Sequence, residues 1–125
     1  MKIQKITYWT ATGLLVLGMF ATFINYFFNP EFKTIFAHLG FPDWFRVELG
    51  IAKLLGAFAL AIPAVPARVK EWAYFGFSLS FSSAVIAHYN AGDPVFNLIA
   101  PLIMLLVLIV SYVSYHKVVL QKNIA

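Results

Sequence analysis

The chain has 125 residues, of which 62% are hydrophobic and only 11% are charged. Because a soluble domain is usually about 45–50% apolar, this composition excludes an ordinary soluble protein and predicts an integral membrane protein. The formal net charge is +4, but the basic residues lie at the ends of apolar segments, which favours a membrane surface over nucleic acid. Cysteine is absent, so the chain has neither a disulfide nor a thiolate metal site.

Four apolar segments are long enough to cross a bilayer as helices, at about 1.5 Å per residue over a hydrocarbon core of about 30 Å. The first is longer than the apolar region of a signal peptide, which has roughly 7–15 residues, and is expected to be retained. The sequence therefore predicts an all-α fold, in which one domain over 1–125 forms an antiparallel four-helix transmembrane bundle. The predicted spans cover 6–28, 44–63, 70–89 and 95–115.

A short amphipathic segment follows the first span, over residues 29–41. Asn29 suits the start of a helix and Gly40 suits its left-handed stop. Its apolar residues recur at helical spacing on one side, at Phe32, Ile35, Phe36 and Leu39. We expect an interfacial helix that lies on the membrane and covers the bundle.

The second span carries charged residues. Asp43 is a candidate N-cap, and Arg46 is close enough to the segment start to reach the head groups. Lys53, in contrast, lies about 13 Å into the segment, where a cation costs roughly 2.5–3.5 kcal/mol. Glu48 lies about 140° from Lys53 around the helix, so these two charges should face different neighbours.

The third span carries a stripe of small residues that predicts close packing against another helix. The stripe consists of Gly76, Ser80, Ala84 and Ala87. His88 lies beside it, and Asp93 follows in a turn that contains glycine and proline.

The basic residues outside the predicted spans are unevenly distributed between the two sides of the bundle. One side carries Lys2, Lys5, Arg68, Lys70, Lys117 and Lys122, and the other carries Lys33 and Arg46. By the positive-inside rule, both termini are expected in the cytoplasm, which favours a bacterial cytoplasmic membrane protein. Tyr26 is expected in the outer aromatic belt.

This topology brings polar residues from several segments to the outer half of the bundle, and we interpret them as candidate ligand-binding residues. They are Asn25, Glu48, Lys53, His88, Asp93 and Asn97. In a functional pocket, His88 and Glu48 could move protons while Lys53 binds an anionic or carbonyl oxygen. Alternatively, the same residues form a structural network of hydrogen bonds, the asparagines join helices and Asp93 serves only its turn.

Other chemistry has little support in the sequence. There are too few spaced ligands for zinc, and haem ligation by His38 and His88 is disfavoured because no attachment motif accompanies them. No nucleophile motif, phosphate loop or pair of catalytic carboxylates is present. We therefore predict no metal site, no intrinsic cofactor, no catalytic residues and no enzymatic activity of the chain on its own.

Five ordered sequence segments carry a resemblance to a known family. They are YWTATGLLVLG at 8–18, HLGFP at 38–42, ELGIAKLLGAFALAIP at 48–63, KEWAYFGF at 70–77 and AHYNAGD at 87–93. With these, the chain resembles the DoxX-like family of membrane proteins. The resemblance implies a four-helix membrane bundle and a link to quinone-using oxidase or oxidoreductase complexes. The positions that it picks out are Glu48, Lys53, Trp72, His88 and Asp93.

Three functions remain as hypotheses. The first is a non-catalytic membrane subunit of a quinone-linked redox system, whose partner subunit carries the metal or flavin. The second is a binder or carrier of a small amphiphile or lipid, for which four spans would need a homo-oligomer to give alternating access. The third is a membrane assembly factor whose polar core is structural.

Overall fold

The computed structural model describes residues 2–124, and it describes side chains over 2–119. The predicted domain ends, Met1 and Ala125, and the side chain of Lys122 lie outside the described residues. Within 2–124 the chain forms five α-helices and no strand, as an all-α fold requires. They are α1 (Lys2–Phe28), α2 (Glu31–His38), α3 (Asp43–Ala61), α4 (Ala67–Asn90) and α5 (Val95–Ile124).

Two of these helices are long and apolar enough to cross a membrane, namely Lys2–Phe28 and Val95–Val119. The helices α3 and α4 coincide with the other two predicted spans, but they are more polar. Helix α3 contains Arg46, Glu48 and Lys53, whereas α4 contains four serines and ends at an asparagine. Composition alone therefore supports two spans, and a four-span arrangement stays a prediction.

The four long helices pack as a closed ring in the order α1, α3, α4, α5. Side-chain pairs show that neighbours are antiparallel, because the residue number rises along one helix as it falls along the other. For example, Tyr8 of α1 contacts Tyr115 of α5, and Thr12, further along α1, contacts the earlier residue Ser111 at 2.7 Å between hydroxyl oxygens. Ser111 also contacts the hydroxyl of Tyr74 of α4, at 2.8 Å. Helix α2 lies across one end of the ring, against α1 and α3.

The bundle core is apolar, and the outer surface is apolar too. Large side chains such as Leu15, Leu60 and Phe77 are buried, while many leucines, isoleucines and phenylalanines of α1, α4 and α5 are exposed. Exposed apolar patches of this extent are rare on soluble monomers. A lipid bilayer accounts for the apolar outer surface, and packing between the helices accounts for the apolar core.

The connection between α3 and α4 is held by Lys70, which the charge pattern placed at the membrane surface. Lys70 is buried instead, and its Nζ donates to the carbonyl oxygens of Ala59, Leu60 and Ile62 at 2.8, 3.3 and 2.9 Å. The last carbonyls of a helix have no intrahelical partner, and the cation of Lys70 donates hydrogen bonds to them. The cation also interacts favourably with the negative end of the helix dipole.

Candidate functional site

Helix α2 forms a lid over one end of the bundle, as its one-sided apolar face predicts. Phe36 is buried, and its ring lies 4.9 Å from that of Tyr26 and 6.4 Å from that of Phe45, measured between centroids. The backbone of Gly40 has a φ of 90°, a left-handed conformation that glycine adopts without strain, and it ends the lid where predicted. The apolar face of α2 therefore points into the bundle.

A cavity of about 400 Å³ lies beneath this lid. All four residues of the predicted apolar face of α2 line it, together with aromatic residues of α1 and of the segment that leads into α3. Its polar lining is confined to a few side chains of α1, α3 and α4. They are Tyr26, Lys53, Ser80, Ser83 and His88.

Lys53 is the charged group of the cavity, and only 8% of its surface is exposed. Its Nζ donates a hydrogen bond to the hydroxyl of Tyr26 at 3.1 Å, and it lies 5.1 and 5.8 Å from the ring centroids of Tyr26 and Phe81. Both rings are within cation–π range. No ion pair of Lys53 occurs among the side chains described. A lysine ammonium has three N–H donors, so the single hydrogen bond leaves donor capacity facing the cavity.

Arg46 does not extend to the head groups, contrary to the expectation from its position. It is buried on the same face of α3 as Lys53, and its Nη1 donates to the backbone carbonyl of Tyr26 near the end of α1. Its Nε donates to Asp43 at 3.1 Å, so Asp43 pairs with Arg46 instead of capping α3. The unpaired carbonyls at the end of α1 explain this placement, since they attract a cation.

Arg46 and Lys53 together fix Tyr26 at its two ends, the carbonyl and the hydroxyl. Tyr26 is consequently buried in the cavity wall and is not part of an aromatic belt. A second helix approaches here because Gly50 lies between the two cations on α3. A Cβ at Gly50 would come within 2.7 Å of Phe27, which confirms the close approach of α1.

Two histidines and an aspartate join the lid to the bundle, and we call this group the clasp. Asp93 accepts hydrogen bonds through separate oxygens, one from His88 Nδ1 and one from His38 Nε2, each at 2.7 Å. The hydrogen bond from His88 and, to a smaller extent, the one from His38 hold the pKa of Asp93 below its ordinary value. Asp93 thus does more than form a turn, since it ties the end of α2 to the end of α4.

The predicted site residues are only partly brought together. Lys53 and His88 line the cavity, and Asp93 contacts His88 at its rim. The others do not line it: Glu48 and Asn97 are exposed, and Asn25 is half-buried. Glu48 lies outside the cavity because of its angular separation from Lys53 around α3. Since Lys53 faces inward, Glu48 faces outward.

The small-residue stripe of α4 was expected to pack closely against a helix, and this expectation is wrong at Gly76. A Cβ built there would meet no atom within 4 Å, and all four stripe residues line the cavity. The helix packs through Tyr74, Phe77 and Phe81 instead. The large rings of these buried residues keep the face of α4 that carries the small residues away from α3. The cavity between the two helices therefore stays open.

Several contributors were missed by sequence reasoning. His38 was considered only as a haem ligand, and Tyr26 only as a belt residue. No group of three or more His, Asp or Glu side chains that could hold a metal occurs in the described part of the chain. The polar groups that line the cavity are the ammonium of Lys53, the hydroxyls of Tyr26, Ser80 and Ser83 and the imidazole of His88, between aromatic walls.

The apolar outer surface and the two helices able to cross a bilayer define a helical membrane protein, and it has an aromatic cavity under a lid. A model of the DoxX-like family matches residues 6–111, and the chain therefore belongs to that family. Comparisons with curated proteins and with solved structures found no match.

Proposed function

We propose that this DoxX-like protein crosses the membrane four times and binds the head group of a small amphiphile, in the first instance a quinone, in the cavity beneath α2. It acts as a non-catalytic membrane subunit of a quinone-linked redox system. The observation that carries the proposal is Lys53, a nearly buried cation without a carboxylate partner among the described residues. An intramembrane charge is expensive, so its retention favours a functional role.

The donor set fits a carbonyl-bearing ring. The ammonium of Lys53 and the hydroxyls of Ser80 and Ser83 are hydrogen-bond donors that line one side of the cavity. Phe36 and Phe45 line another side and offer flat apolar surfaces. A quinone head group has acceptor oxygens on a planar ring and matches both features, whereas a phosphate would demand more cationic partners than Lys53 alone.

The chain needs a partner to use such a ligand in redox chemistry. It has no cysteine, and its described residues include no set of three metal-ligating side chains. Electron transfer would then be carried out by another subunit with a metal or flavin, and this protein would hold the quinone within reach. Glu48 lies exposed on the outer face of α3 and is available to such a subunit.

Membrane orientation belongs to the same proposal. The basic residues at the N-terminus, at the α3–α4 connection and near the C-terminus favour cytoplasmic termini in a bacterial inner membrane. The lid and cavity would then face the outside. A reporter fused to the C-terminus tests this, because activity of the reporter outside the cytoplasm would contradict it.

Native mass spectrometry of the gently solubilised protein tests the ligand. We expect the wild-type protein to carry a co-purified amphiphile of quinone mass, and Lys53→Met to lose it. Lys33→Met is the matched control, since Lys33 is an exposed lysine of α2 outside the cavity lining. Equal retention by all three proteins, or a ligand-free wild type, would contradict the proposal. A phospholipid in place of the quinone would favour a lipid binder.

A further inference from the structure

A second opening leads away from the cavity along α3 and α4. This groove has a volume of about 350 Å³ and shares four lining residues with the cavity, so the two spaces adjoin. The shared residues are Leu49, Lys53, Gly76 and Ser80. From Leu49 to Ala59 the groove follows about 15 Å of α3, at 1.5 Å per residue.

The groove differs from the cavity in its lining. Beyond the shared residues it is apolar, with Ala52, Gly56 and Ala59 on α3 and with Ala73 and Trp72 on α4. Trp72 is among the exposed large apolar residues, so the far end of the groove opens on the outer surface of the bundle. The polar cavity therefore borders a groove that reaches the apolar outer surface, with the small side chains Ala52, Gly56 and Ala59 along α3.

Because the groove and the cavity meet at Lys53, we infer that the groove holds the hydrocarbon tail of the same amphiphile, whose head group lies at Lys53. The ligand class is then a carbonyl-bearing head with one chain, and the tail passes Gly76 and leaves the bundle sideways at Trp72. The inference rests on the proposed function, because it places the tail of that ligand.

The groove acts chiefly as an exit for the tail. A hydrocarbon chain in a membrane is already in apolar surroundings, so its transfer into the groove adds packing contacts and little hydrophobic free energy. The role of the groove is to take up a chain that does not fit, together with the head group, in a cavity of about 400 Å³.

Ala52 offers a substitution that narrows the groove without entering the cavity. It is exposed on α3 and lines the groove but not the cavity, so Ala52→Leu adds bulk only along the path of the tail. Ala21 is the matched control: it is also an exposed helical alanine, and it lies in α1 outside both linings. Leucine is nearly as good a helix former as alanine, so neither substitution disrupts its helix.

The test measures binding of two probes to the purified protein, a decyl-substituted benzoquinone and the same benzoquinone without the decyl chain. We expect Ala52→Leu to weaken binding of the decyl probe by about tenfold or more and to leave the tail-less probe unchanged. Ala21→Leu should bind both probes as the wild type does. Binding of the tail-less probe also reports that each variant is folded.

The outcomes separate the inference from the proposed function. If wild-type protein binds both probes and Ala52→Leu binds them as well as the wild type does, the tail does not use the groove, while the head-group site stands. If wild-type protein binds neither probe, the head-group site itself is wrong and the inference fails with it. Weaker binding of both probes to Ala52→Leu would also overturn the inference, since the effect would then not depend on the tail.

Discussion

Replacing Lys53 by methionine separates a binding role from a structural one. Methionine keeps a long apolar side chain and removes the charge. Because Lys53 has no carboxylate partner among the described side chains, its removal strands no counter-charge. The hydroxyl of Tyr26 loses a donor, but it can still donate its own proton elsewhere.

The contacts of Lys53 set the size of the expected effect. Holding the cation in the membrane costs about 2.5–3.5 kcal/mol. The hydrogen bond to Tyr26 returns about 1.5–3 kcal/mol, and the cation–π contact with Phe81 returns about 0.5–2 kcal/mol. These terms nearly cancel, so Lys53→Met should change the free energy of unfolding of the ligand-free protein by less than about 2 kcal/mol.

The free energy of unfolding is measured by reversible unfolding in detergent. The proteins compared are the wild type, Lys53→Met, Glu48→Gln and the double variant. Glu48 is exposed on another side of α3, so the coupling free energy between the two substitutions should stay below about 0.5 kcal/mol. A loss of about 3–5 kcal/mol in Lys53→Met that Glu48→Gln restores would refute the reasoning. It would mean that the two charges stabilise each other and that Lys53 serves the fold.

Three further predictions concern the lid and the bundle. The clasp lowers the pKa of Asp93 from its ordinary value of 3.8. The stabilisation of α2 by Asp93 is therefore complete above pH 3.8 and is lost as the pH falls through the lower pKa of the folded protein. Asp93→Asn should raise the rate of hydrogen exchange in α2 and remove this dependence on acid. Gly56→Ala should destabilise by about 1–3 kcal/mol, because its Cβ would lie 2.6 Å from the buried ring of Phe77, whereas Gly13→Ala should be neutral or stabilising in thermal unfolding. Ser111→Ala should cost about 1–3 kcal/mol in the same assay, since this buried hydroxyl joins two helices to α5, and an unchanged melting temperature would contradict that role.

Local patterns predicted much of the lid. The spacing of Phe32, Ile35, Phe36 and Leu39 and the glycine at position 40 are properties of one short segment, and all five behave as expected. Helix periodicity in α3 likewise predicted that Glu48 and Lys53 face different directions, because their separation depends only on the geometry of one helix.

Contacts between distant segments could not be read in the same way. Asp93 looks like an ordinary turn residue, and its role in the clasp depends on His38, which lies 55 positions away. Arg46 was expected at the surface because its position suits snorkelling, yet the unpaired carbonyl of Tyr26 attracts it inward. Gly76 suggested close packing, whereas bulky rings on the same helix keep that space open.

Photo-crosslinking from the lid tests the central claim most directly, because it reports both the occupant and its place. A benzophenone amino acid would replace Leu39, which lines the cavity, or Lys33, which is exposed on α2 outside that lining. Irradiation in native membranes followed by mass spectrometry should give one adduct of quinone mass at Leu39 and none at Lys33. Equal labelling of both positions by bulk phospholipid, with no distinct adduct at Leu39, would contradict a head-group site beneath α2.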